Sequence, residues 1–236
     1  MNLKNPAPGV FVWACFDDRV TAAFSGREFD HQNRSAFLQA LQIPDNHLVF
    51  VKQVHGDKIL CAKKETASLK DQEADGLLTD QPAKALGIFT ADCIPAFFYD
   101  SEHNAIALTH AGWRGVYAEI LKKTVANLAK EFASKPSKIK VALGPAMRAC
   151  CYEVGEEFRG YFPEFYFHPK LPNGERKVSG HFDMMKSAQQ QLEKAGIRKE
   201  NIADSEFCTG CLNGQFFSAR KEKTAERILS VMALKP

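Results

Sequence analysis

Three short segments each place a side chain that can bind metal at the end of an apolar run typical of a β-strand. His55 follows residues 48–54, Cys93 comes directly before another such run, and His110 follows residues 105–109. Each of the three lies in a tight turn that contains glycine or aspartate. Two imidazoles and a thiolate suit Zn²⁺, and copper also accepts them. The pattern therefore predicts a metal site whose fourth position is open to water or substrate.

The same residues allow other interpretations. Cys93 and His110 can form a metal-free nucleophile pair, as in a cysteine hydrolase that acts on amide or ester bonds, for instance in a cell-wall precursor. A cysteine in an apolar run is usually a small buried side chain, and a histidine at a strand end is usually hydrogen-bonded or at the surface. A structural metal domain that binds a partner would need a closed set of four ligands, and no fourth ligand stands out. Spacing alone leaves these alternatives open.

A second group of cysteines contains Cys208 and Cys211, which have C-x-x-C spacing. This spacing occurs in redox proteins and as one half of zinc sites. The other half is missing, because Cys150 and Cys151 are adjacent and do not match the usual zinc-knuckle geometry. We therefore expect two loop cysteines, one of them packed, without a metal or redox role.

The segment from His110 to Gly115 (HAGWRG) also has the features of an anion site. Small residues precede a predicted helix, so free backbone N–H groups and the helix dipole would point toward the turn that holds His110. The guanidinium of Arg114 can add two parallel N–H donors. The alternative is that Gly112 and Gly115 serve only close packing. Asp92 is a candidate for supporting the metal site from the position next to Cys93.

Apolar periodicity predicts an α/β (α+β) protein in which helices cover a mixed β-sheet core. The strands and helices do not alternate as strictly as in a doubly wound fold. No linker or repeat divides the chain, so residues 1–236 are expected to form a single domain. The predicted strands are residues 48–54, 58–62 as the returning strand, 85–89, a hairpin of 94–99 and 105–109, and 138–143. The predicted helices are a short one capped by Asn33 and stopped by Pro44, residues 114–132, a helix from Asp183 to Ala195, and residues 222–233.

Composition excludes several classes of protein. The net charge is only +3, and Lys and Arg are interleaved with Asp and Glu, so we expect no binding to nucleic acid. No apolar run reaches the roughly 18–20 residues that span a bilayer, and the N-terminal segment is a poor match to a signal peptide. The seven cysteines do not have the spacing of a disulfide framework. We therefore expect a reduced, cytoplasmic protein that is a monomer or a homodimer.

Six motifs occur in the order seen in one known family: QVHGD (53–57), ADGLLTD (74–80), TADCIP (90–95), HAGWRG (110–115), LGPAM (143–147) and CCYEVGEEF (150–158). In these motifs the chain resembles the YfiH-like, laccase-domain family, once called multicopper polyphenol oxidases and now regarded as purine nucleoside phosphorylases. The agreement extends from about residue 33 to residue 220.

The resemblance implies a YfiH-like fold and a catalytic metal, Zn²⁺ or Cu²⁺, held by His55, Cys93 and His110. It also implies phosphorolysis of adenosine, inosine and 5′-methylthioadenosine to a free base and a ribose-1-phosphate species, so that purine nucleosides and phosphate are the expected partners. Adenosine deamination and phenol oxidation are attributed to the same family. A mononuclear site fits phosphorolysis and deamination better than phenol oxidation, because a multicopper oxidase needs several clustered copper centres. Attack of zinc-activated water on a purine follows the chemistry of known deaminases.

The chain departs from the family in two segments. Family members usually carry a glycine-rich N-terminal segment with a Leu-Asn-Leu-Gly-like end, and residues 19–30 occupy that place here. Near the C-terminus the family has a Ser-Tyr-Arg-Arg-Asp-Gly type of run followed by Gly-Arg. Here Arg220 keeps its place, Lys221 replaces the second arginine, and Arg227 is the match for the last one. Arg114 and Arg220 are thus the expected contacts to phosphate or another substrate anion.

Overall fold

The structure is a computed structural model that describes residues 2–30, 33–64, 66, 68–168 and 180–235. Fifteen strands and five α-helices occur within these residues. The strands are β1 (Leu3–Ala7), β2 (Val10–Trp13), β3 (Val20–Ser25), β4 (Leu48–Val49), β5 (Ile59–Cys61), β6 (Gly76–Thr79), β7 (Ala85–Thr90), β8 (Ile94–Asp100), β9 (Ala105–Ala111), β10 (Lys140–Leu143), β11 (Glu153–Val154), β12 (Phe167–His168), β13 (Gly180–Phe182), β14 (Ile202–Asp204) and β15 (Ile228–Leu234). The helices are α1 (Arg34–Ala40), α2 (Trp113–Tyr117), α3 (Ile120–Phe132), α4 (Met184–Lys194) and α5 (Ala219–Glu222).

Two six-stranded mixed sheets form the centre of the fold. The first has the strand order β1-β2-β3-β15-β7-β4, and the second has the order β14-β10-β8-β9-β6-β5. In each sheet most pairs are antiparallel, while β4 with β7, β5 with β6 and β10 with β14 are parallel. A third, smaller antiparallel sheet has the order β11-β13-β12 and packs in the same buried apolar cluster as part of the second sheet.

The two large sheets pack face to face, and helices cover their outer faces. Phe24 and Met232 of the first sheet share one buried apolar cluster with Phe97 and Leu108 of the second. Side chains on the opposite faces of the sheets contact helices, because successive residues of a strand point to opposite sides. Helix α1 covers the first sheet, and α3 and α4 cover the second. The predicted fold class is therefore confirmed, whereas the division into two sheets was not foreseen.

The predicted final helix, residues 222–233, is wrong. Only Ala219–Glu222 is helical, and Ile228–Leu234 forms β15, which pairs antiparallel with β3 on one side and β7 on the other. All seven residues of β15 are buried. A strand that is buried on both faces reads as a continuous apolar run, and periodicity cannot distinguish such a run from a buried helix.

Two further elements differ from the prediction. The helix expected over residues 114–132 is interrupted at Glu119, whose φ of +60° is left-handed, so that α2 and α3 are separate. Residues 58–62 do not return along residues 48–54, because β4 belongs to the first sheet and β5 to the second. The chain therefore crosses from the first sheet to the second between β4 and β5, in the segment that contains His55.

Two other local predictions are confirmed, and a third, the capping of α1 by Asn33, is not. Strands β8 and β9 form the expected hairpin, in which Pro95 pairs with His110. The side chain of Asp183 caps α4 by accepting the N–H of Lys186 at 2.9 Å. Asn33 precedes α1, but within the described residues its side chain makes no capping hydrogen bond. Among the helices of the described residues, none combines the length and the apolar character needed to cross a bilayer.

Candidate metal centre

The structure brings together the three side chains that the sequence singles out. One ligand atom each from His55, Cys93 and His110 lies within 4.8 Å of the other two. The two imidazole rings are edge to face, with centroids 4.7 Å apart. His110 lies on β9, and Cys93 lies in the turn before β8, so the antiparallel hairpin sets these two residues side by side. His55 reaches them from the loop that connects the two sheets.

Asp75, which the sequence motifs do not single out as a site residue, fixes both histidines. Its buried carboxylate lies 2.7 Å from Nδ1 of His110, which leaves Nε2 of that ring to face the cluster. The carboxylate also accepts the backbone N–H groups of Val54 (3.2 Å), His55 (2.9 Å) and Gly56 (2.6 Å). A carboxylate that orients a ligand histidine is a recurrent feature of metal sites in proteins.

Two non-glycine residues at the site have a left-handed backbone. The φ angle is +59° at His55 and +86° at Asp92, which precedes Cys93. Such conformations cost on the order of 1 kcal/mol or more each and persist where surrounding contacts hold them. At Asp92 these contacts are three hydrogen bonds of 2.7 Å to its carboxylate, donated by the hydroxyls of Thr209 and Ser218 and by the backbone N–H of Arg220.

The glycines of the HAGWRG segment lie at close approaches between chain segments. A Cβ atom on Gly112 would be 3.0 Å from Sγ of Cys93 and 3.1 Å from Cδ2 of His55. A Cβ atom on Gly115 would be 3.0 Å from the carbonyl oxygen of Gly56. Both contacts agree with the close-packing interpretation. Helix α2 has only five residues, and the guanidinium of Arg114 lies over the Trp113 ring, so the anion site at this helix start stays a prediction.

A cavity of about 420 Å³ opens beside Cys93. Of the two arginines that the sequence proposed as anion contacts, Arg220 lines this cavity, whereas Arg114 does not. Arg227, the match for the last arginine of the family motif, donates to backbone carbonyls of its own loop. Lys223, which the sequence did not single out, supplies a second cation. The full lining consists of Asp92, Cys93, Met147, Tyr152, Met184, Ala219, Arg220 and Lys223.

The segment that takes the place of the family's glycine-rich N-terminal stretch has a structural connection to this cavity. Residues 19–30 form β3 and then bring Arg27 to Glu222, with contacts of 2.7 and 2.8 Å between the guanidinium and the carboxylate. Glu222 is the last residue of α5, the helix that carries Arg220. Arg220 is also held directly, because its guanidinium donates to the carbonyl oxygen of Glu153 at 3.0 Å.

The contacts within the cluster favour a thiolate at Cys93 next to a protonated His110. Burial alone raises the pKa of the Cys93 thiol, but hydrogen bonds from His110 and His55 lower it to about 7. Burial lowers the pKa of His110, but the contacts with Asp75 and Cys93 outweigh it and raise this pKa to about 9. A thiolate and two oriented imidazoles are donors that fit Zn²⁺, because zinc binds deprotonated cysteine and neutral histidine.

We expect Zn²⁺ binding at this centre to release about one proton near pH 8, since the ion must displace the proton of His110 while Cys93 is already a thiolate. The apparent affinity should rise about tenfold per pH unit between pH 7 and 9 and fall more steeply below pH 7, where Cys93 is also protonated. Calorimetric titration in two buffers of different ionisation enthalpy measures the released protons. The number of protons released by the wild type minus the number released by Cys93→Ala belongs to this centre. If this number does not vary with pH, the pKa values given for Cys93 and His110 are contradicted.

Asp75→Asn should weaken Zn²⁺ binding at this centre by about 10- to 100-fold, because the amide cannot both orient His110 and accept the neighbouring backbone N–H groups. A metal-competition titration with a chromophoric chelator gives the affinity. Asp100→Asn is the matched control, since Asp100 is also buried and lies 2.7 Å from Nδ1 of a histidine, His103, outside the cluster. Equal effects of the two substitutions would show that only a general loss of stability is involved.

The expectation that Cys208 and Cys211 lack partner cysteines is wrong. The structure places them with Cys150 and Cys151, and the four Sγ atoms all lie within 4.8 Å of one another. A parallel bridge between Ala146 and Cys208 aligns the two segments, which are far apart in the sequence. Among the described residues, this cluster and the His-Cys-His cluster are the two groups of three or more side chains that have the spacing of metal ligands.

The fold and the His-Cys-His cluster together define an α/β protein of the YfiH-like type. The crystal structure of the YfiH protein of Bacillus licheniformis superimposes with a TM-score of 0.87 at 25% identity and covers 99% of both chains. The chain belongs to the multi-copper polyphenol oxidoreductase laccase family, whose sequence profile matches residues 28–235.

Curated relatives of this chain carry the names of two enzymes. A purine nucleoside phosphorylase of Clostridium acetobutylicum is 36% identical over 188 residues, which are 79% of this chain and 76% of the relative. The adenosine deaminase RL5, from an unknown prokaryotic organism, is 30% identical over 197 residues, which are 80% and 75% of the two chains.

Proposed function

We propose that this protein is a metal-dependent purine nucleoside phosphorylase. It would cleave adenosine, inosine and 5′-methylthioadenosine with phosphate to the free base and a ribose-1-phosphate species. The observation that carries the proposal is the position of Cys93, which belongs to the three-ligand cluster and also lines a cavity that contains two cations. The name of the Clostridium relative supports the same reaction.

Zn²⁺ is the proposed cofactor, with Cu²⁺ as the other candidate, and His55, Cys93 and His110 would hold it. When bound, the ion would supply Lewis acidity toward an oxygen of the attacking nucleophile. The chain itself would position the reactants. Arg220 and Lys223 would hold the phosphate beside the cluster by charge-assisted hydrogen bonds. The carboxylate of Asp92 would keep Arg220 in place by accepting the backbone N–H of Arg220.

Adenosine deamination is the second proposed activity, and it would use the same cavity. Water would replace phosphate as the nucleophile, and the cations of the cavity would then make no essential contact. The name of the RL5 relative supports this activity. Because both reactions share the nucleoside, a single preparation can be tested for both.

A metal-free thiol hydrolase is the competing proposal. The series Asp75, His110 and Cys93 has the order of an orienting group, a base and a nucleophile, and the lowered pKa of Cys93 suits it. Alkylation of Cys93 would inactivate either kind of enzyme, so chelation is the treatment that separates them. Laccase-type oxidation has less support, since the donor sets of the described residues are N₂S and S₄ rather than several histidine-rich copper sites.

The deciding experiment measures base and ammonia released from adenosine and inosine, with and without phosphate. We expect release of adenine and hypoxanthine to require phosphate, to stop after metal chelation and to return when Zn²⁺ is added. Ammonia released from adenosine without phosphate would demonstrate the deaminase activity. Full nucleoside cleavage by protein shown to be metal-free would contradict the proposal.

We also propose that the protein works in the cytoplasm. All seven cysteines, each within the described part of the chain, are free of disulfides, as is usual in a reducing compartment. Its proposed partners are purine nucleosides and phosphate, with a monomer or a homodimer as the assembly.

A further inference from the structure

The second cysteine cluster has the geometry of a metal cage. Sγ of Cys150 lies 3.4 Å from that of Cys208 and 3.5 Å from that of Cys211, and Sγ of Cys151 lies 3.5 Å from that of Cys211. A tetrahedral Zn²⁺ ion with Zn–S bonds of about 2.3 Å requires sulfur atoms about 3.8 Å apart. The observed separations, from 3.4 Å to at most 4.8 Å, bracket this value. Four sulfurs at these mutual distances are close enough to share a single ion.

Local backbone structure holds both halves of the cage. The carbonyl oxygen of Arg148 accepts the N–H groups of Cys151 (2.8 Å) and Tyr152 (2.9 Å), which forms the turn that presents the two adjacent cysteines on one side. In the other segment, a Cβ atom on Gly210 would be 2.7 Å from Cβ of Cys151. Glycine at this position therefore lets the C-x-x-C loop approach the adjacent cysteines closely enough to share a ligand.

The two segments are also joined independently of the thiols. Arg148 forms an ion pair with Asp204, and the N–H of Thr209 donates to the carbonyl oxygen of Ala146 at 3.1 Å. These contacts hold the two cysteine-bearing segments against each other without the thiols taking part. Cys208 is buried, whereas Cys150 and Cys211 are exposed, so the cage has a closed inner side and an open side through which an ion can enter.

We propose that Cys150, Cys151, Cys208 and Cys211 bind a second Zn²⁺ ion in a closed, structural four-thiolate site. Four sulfur donors in a tetrahedral arrangement select zinc or iron–sulfur centres, and a site with all four positions filled by protein has no place for substrate. Two disulfides would instead pair the sulfurs. The near-equal separations of three different pairs favour one central ion over two bonded pairs.

This ion would hold in place two segments that support the cavity. The hydroxyl of Thr209, inside the C-x-x-C loop, donates to the carboxylate of Asp92 at 2.7 Å. The N–H of Met147, close to the adjacent cysteines, donates to the carbonyl oxygen of Asp92 at 2.9 Å. Asp92 directly precedes Cys93. The cage would therefore stabilise the strained backbone next to the first metal centre from a distance.

Metal analysis of the intact protein, purified under reducing conditions with Zn²⁺, tests the proposal without any assay of activity. We expect about two Zn²⁺ per chain in the wild type, about one in Cys93→Ala, about one in the double variant Cys150→Ser with Cys211→Ser, and almost none when all three substitutions are combined. Cys61→Ser is the matched control and should keep about two, because the half-buried Cys61 belongs to neither cluster.

A second measurement on the wild type does not depend on the variants folding. Brief alkylation followed by mass spectrometry should leave the exposed Cys150 and Cys211 unmodified until a chelator removes the ion, after which both should react. Immediate alkylation of both, a zinc content that Cys150→Ser with Cys211→Ser does not lower, or disulfides among the four cysteines would each overturn the proposal.

Discussion

Cys93→Ala is expected to remove the Zn²⁺ ion from the His-Cys-His centre and to lower kcat/KM for inosine phosphorolysis by about 10³-fold or more. The thiolate is the anionic member of the ligand set. Its loss leaves only the two neutral imidazoles of His55 and His110. A 10³-fold loss corresponds to about 4 kcal/mol of transition-state stabilisation, within the several kcal/mol that a metal ion contributes. Zinc content and steady-state kinetics measure the two effects separately.

The fold should survive this substitution, because alanine removes one sulfur from a half-buried position and adds no volume. Circular dichroism and the thermal midpoint check that the variant is folded. Cys15→Ala is the matched control, since Cys15 is also half-buried and lies outside both cysteine-containing clusters. A folded Cys93→Ala protein that still cleaves inosine at the wild-type rate would remove the basis of the proposed function.

The features of this centre that the sequence predicts are those with a local signal. The hairpin of β8 and β9 has two apolar runs and a short polar connection, and this pattern alone sets Cys93 beside His110. His55 is identifiable because it ends an apolar run in the same way. Its proximity to the other two could not be derived from spacing, since β4 and β5, on either side of it, belong to different sheets.

The features that the sequence does not predict depend on contacts between distant segments. Asp75 looks like one residue of an Ala-Asp-Gly turn, and its role becomes visible only when His110, 35 residues later, is found 2.7 Å away. Cys150 and Cys151 appear unsuitable for zinc as long as adjacency is the only information. The bridge between Ala146 and Cys208, 62 positions apart, changes that conclusion. The helix predicted over residues 222–233 is wrong for a related reason, because distant segments bury both faces of β15 and so remove the alternation of apolar and polar residues that marks a strand.

Gly112→Ala should weaken Zn²⁺ binding at the His-Cys-His centre and lower kcat/KM by about 10²-fold each, although the added group is a single methyl. The backbone of Gly112 has a φ of −74° and a ψ of 169°, which alanine adopts without strain. The cost is therefore steric. The new Cβ would lie 3.0 Å from Sγ of Cys93 and 3.1 Å from Cδ2 of His55, so both ligands must move. A misplacement of about 1 Å is sufficient for a loss of this size at a catalytic centre.

Gly214→Ala is the control for this substitution, because nothing lies within 4 Å of a Cβ atom at position 214. The comparison separates two explanations of the glycine in HAGWRG. If the residue serves an anion site through its backbone, alanine keeps the N–H group, so zinc affinity should match that of Gly214→Ala and the KM for phosphate should change little. If it makes room for the ligands, zinc affinity should fall in Gly112→Ala alone, and raising the Zn²⁺ concentration should restore part of the activity. We expect the second result, since the two nearest neighbours of the added carbon belong to ligand side chains.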